Sequence, residues 1–280
     1  MKWNTYTDLH VFKQKVEDFL LKKEEANNLI LGILKRLVSL ENVFAASIEK
    51  DETVVAAFLQ TPPHSLVVVV DEQFSTDEII SYSIKNLKEE LPSLPGINST
   101  KTVSHHFAKE WSKLMNLSYR VHMEQCMMAC DQVQPIQISE GTLQIAKPEH
   151  ASLLTDWLLE FVEESDLLPV IRMNAESLIQ QSIQGENLYT WSVGDEIVSM
   201  VNKTRETKNS IGINQVYTPP SHRNKGYASS AVHQLTEQLL KQYKSCVLYT
   251  DLANPTSNSI YKKIGYKPIE ECSHILFSQQ

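Results

Sequence analysis

The chain has 280 residues, 42% hydrophobic and 21% charged, with 26 basic against 34 acidic side chains and a net charge of −8. Such a balance belongs to a globular protein long enough for two domains, and 8 Gly and 11 Pro exclude collagen-like or low-complexity architecture. The charge divides evenly, −4 in residues 1–135 and −4 in 136–280, so neither half has the basic excess that a nucleic-acid partner demands. No run approaches the roughly 18 apolar residues of a membrane helix, and the densest, 66–70, is strand-sized. Residues 1–5 lack the apolar run of a signal peptide, and with only four Cys the expected compartment is the cytoplasm, with no membrane partner.

In chain order, residues 8–40 read as one or two helices, with Val16, Phe19 and Leu20 at helical spacing. Strand-like runs follow at 43–49, 53–60 and 65–70. Ser75-Thr76-Asp77-Glu78 then opens a capped helix that runs to about Leu91, before Pro92. A helix over 105–115 precedes a strand over 117–130. The polar segment 131–135 ends in a proline and marks the expected boundary, with domains at 1–135 and 136–280. Beyond it come a strand at 142–146, helices at 148–164 and 174–183, and strands at 187–193, 196–203 and 211–218. Residues 224–243 are amphipathic, with Ala228, Ala231, Val232, Leu235 and Leu239 on one stripe. A strand at 245–251 leads to a short helix at 255–264, entered through Asn254 and Pro255 and left through Gly265. Strands near 266–270 and 273–278 close the chain.

The two halves share a faint repeat. Phe44-Ala45-Ala46-Ser47-Ile48 and its acidic turn at Asp51-Glu52 read like Tyr189-Thr190-Trp191-Ser192-Val193 and Asp195-Glu196, at an offset of about 145 residues. Both hairpins follow helices and lead to a further strand and helix.

The segment Val216-Tyr217-Thr218-Pro219-Pro220-Ser221-His222-Arg223-Asn224-Lys225-Gly226-Tyr227-Ala228-Ser229 carries the clearest chemistry. It joins a strand to a helix through a loop with cations, a glycine and small residues. Unpaired N–H groups and positive dipole character at a helix start suit an anion. Gly226 removes a Cβ that would hold phosphate oxygens away, Ala228 and Ser229 are small, and Arg223 and Lys225 add charge. Pyrophosphate binding is one reading of this pattern; a capped surface helix with two solvated cations is the other.

Arg223-Asn224-Lys225-Gly226-Tyr227-Ala228 resembles the Arg/Gln-x-x-Gly-x-Gly/Ala signature of the GNAT superfamily of acyl-CoA N-acyltransferases. A second stretch, Thr250 through Asn254, Asn258, Tyr261, Gly265 and Tyr266, is similar to that family's late strand–loop–helix. The resemblance covers roughly residues 141–280 and implies an α+β fold of tandem GNAT-like domains, each a mixed, mostly antiparallel sheet flanked by helices. The first would be a degenerate copy, and the second would hold the CoA cleft between two splayed strands. It implies N-acetyl transfer from acetyl-CoA to a primary amine of a small molecule or peptide, through a tetrahedral intermediate, without a metal or a nucleophilic Ser or Cys. Val216, Tyr217 and Thr218 would offer strand backbone to the pantetheine, with a backbone N–H near Val216 at the oxyanion. Residues Arg223 to Ser229 would hold the pyrophosphate, and Asn254 and Asn258 would bind the cofactor, cap the helix, or do both.

Tyr261 is read either as the acid that protonates the departing thiolate or as a ring packed beneath the cofactor. Where many family members carry a strand carboxylate, this chain has Gly212-Ile213-Asn214-Gln215. Glu196, Glu206 and a water held by Asn214 remain equal candidates for the base. That missing acid also admits a non-catalytic acyl-CoA-binding sensor. Elsewhere, Cys126 and Cys130 read as packing residues, and His105-His106 as solvated or capping residues. The run Asp156, Glu160, Glu163, Glu164 and Asp166 reads as a solvated helix face that could also attract a cationic amine. The first half lacks the phosphate loop: Asp71-Glu72-Gln73-Phe74-Ser75-Thr76-Asp77 is acidic and would repel it.

Overall fold

In the computed structural model, residues 1–91, 93–165 and 169–279 are described, and Pro92, expected to follow the helix after Leu91, lies outside them. The chain folds as two compact units. One comprises Met1–Met127, Thr250–Asn254 and Pro268–Gln280, the other Met128–Tyr249 and Pro255–Lys267. The expected domains at 1–135 and 136–280 differ from this division chiefly at the C-terminus, whose last strand is counted with the first unit.

In the first unit, β1 (Lys2–Thr5), β2 (Phe44–Lys50), β3 (Thr53–Gln60) and β4 (Leu66–Val70) are successive antiparallel neighbours. Asp51 and Glu52 both take positive φ between the paired Lys50 and Thr53, the two-residue turn whose twist suits a hairpin. Helix α1 (Leu9–Leu21) is capped by the Asp8 carboxylate, which accepts from the His10 and Val11 N–H groups. Its stripe of Phe12, Val16, Phe19 and Leu20 is buried with Ile30 and Leu34 of α2 (Asn28–Arg36). β4 runs parallel to β5 (Gly96–Thr100), a connection that requires a crossover, supplied by α3 (Thr76–Glu90). Helix α4 (Lys101–Met115) follows and ends at Asn116, which is left-handed. Next in chain order is β6 (Leu117–Cys130).

β5 carries no alternating pattern, and Gly96 gives the physical reason for its composition. A Cβ there would lie 2.3 Å from the Ile275 carbonyl oxygen. That oxygen belongs to the C-terminal strand β12 (Lys267–Gln279), which pairs antiparallel with β5 from Cys272↔Thr100 to Leu276↔Gly96. The two short strands expected at 266–270 and 273–278 are this one continuous strand.

The second unit repeats the plan. β7 (Thr142–Ile145), β8 (Leu188–Val193), β9 (Glu196–Thr204) and β10 (Ser210–Tyr217) are antiparallel neighbours, and β10 is parallel to β11 (Ser245–Asp251). Helices α5 (Ala151–Glu164), α6 (Pro169–Met173) and α7 (Ala175–Gln184) fall between β7 and β8. Leu154, Trp157, Leu158, Ile179 and Ile183 pack with Leu188, Met200 and Tyr217 of the sheet. Helix α8 (Tyr227–Leu239) crosses from β10 to β11, and α9 (Pro255–Ile264) follows β11. The repeat is structural: the pairs Lys50↔Thr53 and Val193↔Glu196 close equivalent hairpins 143 residues apart, and each hairpin has a register shift two pairs from its turn.

One half-buried histidine in the first unit has a measurable consequence. His274 Nε2 lies 2.8 Å from Ser65 Oγ, and the His122 ring meets His274 edge-on at 5.2 Å. Burial, then the neighbouring His122, Arg120 and His64, lower the His274 pKa to about 4. Below its ordinary value the unfolded chain takes up a proton that the folded chain refuses. Stability should therefore fall as pH drops from 6.5 towards 4, by about 3 kcal/mol from this group. Urea unfolding at pH 7 and pH 4.5 should record the loss, and His274→Asn should flatten that part of the profile.

Candidate functional site

The second unit's site begins where two parallel strands part. β10 and β11 pair from Ser210↔Ser245 to Ile213↔Leu248, yet β10 continues to Tyr217 and β11 to Asp251. The reason lies on the other edge of β10. Against β9, its register steps from Asn214↔Asn202 to Tyr217↔Met200, three residues opposite two. Gln215 takes φ 50° within that step. A bulge of this kind bends its strand and turns it from its neighbour. The backbone of Asn214 to Tyr217 is thus freed along one side.

The Tyr217 side chain turns towards α5 rather than along the opening. Its ring packs on Trp157 and Phe161, and its one hydroxyl proton goes to Glu160 at 2.7 Å, with Glu164 a longer contact at 3.2 Å. Burial, then the bond to Glu160, hold this phenol well above its ordinary pKa. Thr218 donates from Oγ1 to Ser199 Oγ at 2.9 Å, and a short helical turn, Pro220–His222, brings the chain round to α8.

α8 starts at Tyr227 rather than 224 because Asn224 (φ 63°) and Gly226 (φ 78°) are both left-handed. It ends at Leu239 rather than 243, where residues 240–243 close a turn on Thr236, Gln238 and Leu239. Gly226 occupies the N-cap position with no side-chain cap, and the first turn carries no acid. Tyr227, Ala228 and Ser229 therefore present amide N–H groups without a competing side-chain cap, with Lys225 exposed beside them. Gly226 also has a structural reason: a Cβ would lie 2.6 Å from Ser139 Oγ, which donates to the Lys225 carbonyl at 2.7 Å.

Arg223 sits differently from a solvated cation. Its Nη2 reaches both oxygens of Glu164 at 2.7 Å, its Nε donates to the Thr218 carbonyl at 2.8 Å, and the guanidinium lies 5.6 Å from the Tyr217 ring centroid. The acidic α5 run is thus partly engaged: Glu160 and Glu164 hold Tyr217 and Arg223, and Glu163 faces Arg172 at 3.6 Å. Asp166 of that run lies outside the described residues.

Tyr261 on α9 is 9% exposed, meets the Tyr266 ring at 6.0 Å, and is pushed up to about 12 by burial. It therefore keeps its proton at neutral pH. Asn258 lies on the same helix, half-buried, whereas the exposed Asn254 is counted with the first unit, where its N–H donates to the Asp251 carbonyl. Among the other sequence candidates, Glu196 is exposed and faces His222 at 3.5 Å. Glu206 hydrogen-bonds Tyr243. His105 pairs with Glu124 at 2.9 Å and His106 with Asp77 at 2.8 Å. The four cysteines are free and buried, and burial raises Cys246 and Cys272 to about 12, which keeps them inert thiols. Asn202 has no part in the sequence motifs, yet its Nδ2 donates to Asn214 Oδ1 at 2.8 Å beside the bulge.

Residues 194–275 match the family model described as FR47-like protein. No curated protein matches the chain. Among solved structures, it is similar over its whole length to a GNAT-family acetyltransferase from Colwellia psychrerythraea, with a TM-score of 0.61, 12% identity and 100% of both chains covered. A GCN5-related N-acetyltransferase from Sphaerobacter thermophilus gives a TM-score of 0.61 at 14% identity, covering 99% of this chain and 96% of that one. A tandem GNAT protein from the clavulanic acid biosynthesis pathway gives 0.56 at 10% identity, covering 99% and 98%.

The left-handed glycine gives a direct test of the loop. Gly226→Ala should cost about 1–2 kcal/mol in urea unfolding, from positive φ alone. Gly226→Asn, a residue that tolerates this conformation, should cost measurably less than Gly226→Ala.

Proposed function

We propose that this protein, a member of the GNAT superfamily with the tandem GNAT fold, is an N-acetyltransferase. It would use its second unit to move an acetyl group from acetyl-CoA to a primary amine. The observation that carries this reading is the divergence of β10 from β11, which leads directly to a helix start with no side-chain cap. When bound, acetyl-CoA supplies a thioester already activated for attack by an amine.

Each part of the opening suits a different part of that molecule. The freed backbone of Asn214 to Tyr217 provides N–H and C=O groups in a row, the pattern that a chain of pantetheine amides needs. The N–H groups of Gly226, Tyr227, Ala228 and Ser229, with Lys225, suit its pyrophosphate. Arg223 would contribute charge only on leaving Glu164, which makes it a weaker phosphate ligand than the motif suggests. Tyr261 holds its proton on a buried phenol and could deliver it to the departing sulfur. Asn214 and Gln215 stand where a carboxylate base would be, and this favours a second reading, an acyl-CoA-binding sensor without turnover.

Calorimetry with CoA, followed by thiol release across an amine panel, separates the readings: binding with turnover supports the enzyme, binding alone the sensor, and no binding refutes both. Ser229→Glu is a sharper test of the anion site. A carboxylate in the first turn should leave the helix as stable or about 0.3–1 kcal/mol more so, while CoA affinity falls at least about tenfold from charge repulsion in the site. Tyr261→Phe should keep CoA affinity and lower the single-turnover rate roughly 10²–10⁴-fold if the phenol is the acid. An unchanged single-turnover rate would assign the ring to packing.

A further inference from the structure

The last turn of α5 carries charge of the wrong sign for a helix end. Glu163 and Glu164 close the helix, and no basic residue shares that turn. The negative end of a helix dipole favours cations instead. Each carboxylate is answered from elsewhere in the second unit. Arg172 lies 3.6 Å from Glu163, and Arg223 places Nη2 2.7 Å from both oxygens of Glu164. The second pair is the closer, and it engages the single arginine of the loop between β10 and α8. Lys225, two residues on, joins no ion pair among the described residues.

The side chain best shaped to grip a phosphate is therefore committed to a carboxylate of the protein itself. A guanidinium binds an oxyanion bidentately along an edge of two nitrogens, either Nε with Nη2 or Nη1 with Nη2. Both edges include Nη2, which is held by Glu164, and Nε is on the Thr218 carbonyl at 2.8 Å. Neither edge is open to a phosphate while the pair stays closed. The pair can open, because its side chains are 39% and 44% exposed and water can serve either one. An exposed pair of this kind is worth no more than about fivefold in an equilibrium constant.

We infer that Glu164 is a positioning residue acting through Arg223: it holds this arginine off the anion site in the free protein and competes with the CoA pyrophosphate for it. This rests on the acetyl-CoA reading above. Binding then exchanges one charge pair for another, and the phosphate contact gains only the difference between them. Glu164 in turn loses its cation only when CoA is in place. The charge beside the Tyr217 hydroxyl, 3.2 Å away, is masked in the free protein and bare in the complex.

Calorimetry with CoA at about 0.15 M salt reads the competition directly. Glu164→Gln keeps the side chain's shape and removes the competitor, so CoA should bind about three- to fivefold more tightly. Glu164→Ala should change affinity in the same direction. A residue that merely braced the loop would give the opposite sign, since its loss would loosen the site. Removing a negative charge also relieves through-space repulsion of CoA, and Arg223→Met separates the two causes. In that background only screened repulsion remains, so Glu164→Gln should gain less than about twofold. Urea unfolding should show both single variants and the double variant folded, because Glu164 and Arg223 are exposed side chains. If the wild type binds CoA and the folded Glu164 variants bind it no more tightly, Glu164 is a structural brace and the inference fails. A gain as large without Arg223 as with it also overturns the inference. The acetyl-CoA reading survives both results. If the wild type does not bind CoA, that reading fails, and the inference with it.

Discussion

One extra residue in β10 sets up the rest of the second unit's site. Without the three-against-two step between Asn214 and Tyr217, β10 could continue its ladder with β11, and every backbone group would be spent inside the sheet. With that step, the strand bends away after Ile213 and its amides become available. The same bend directs the chain through Pro219 and Pro220 towards α8, and it turns Tyr217 into the α5 core. Opening, helix start and core packing are three results of one backbone irregularity.

Leaving a sheet edge and a helix start open has an energetic cost, and its sign is visible in the surroundings. A missing N-cap forgoes about 0.5–2 kcal/mol. Around it the chain is tied down by contacts that leave those groups alone. The Ser139 N–H donates to Ser230 Oγ in the first turn of α8, and its Oγ donates to the Lys225 carbonyl. Arg223 and Glu164 clamp the preceding loop to α5. The exposed pair itself contributes little, about 0–1 kcal/mol. Its value lies in holding Arg223 and Tyr217 in one arrangement.

Local signals made much of this legible. Gly226 and the small residues after it marked the strand-to-helix loop, although the helix begins at Tyr227 rather than at the expected 224. Asn254, Pro255 and Gly265 bracketed α9 closely, because helix ends leave a composition trace. Non-local facts left none. Nothing near Gln215 announces a bulge, since no Gly or Pro is needed to make one. The Arg223–Glu164 clamp joins residues 59 apart, and a sequence pattern shows only a motif arginine and a charged helix face. Asn202 was missed because its partner lies on the next strand. β5 was missed because the demand on Gly96 comes from β12, at the far end of the chain.

The first unit supplies the internal comparison that gives the open helix its meaning. It has the same parallel pair joined through a crossover helix, and β4 and β5 also share a short register, Leu66↔Ile97 and Val67↔Asn98. Its helix start is closed. Ser75 accepts from the Glu78 N–H, and Asp77 and Glu78 place carboxylates in the first turn of α3. The preceding loop is charge-paired as well, with Lys23 on Glu72 and Lys22 on Asp71 at 3.9 Å. The chain thus satisfies its own helix dipole in one unit and leaves it unsatisfied in the other. Acidic residues at a helix start are the stabilising choice when no ligand is to be bound. A glycine there, with no acid in the first turn, is the choice that leaves room for an anion from outside. The two units share a backbone plan, so the difference between them lies in a handful of side chains at one helix end, and that is where a division of labour between scaffold and binding site would be written.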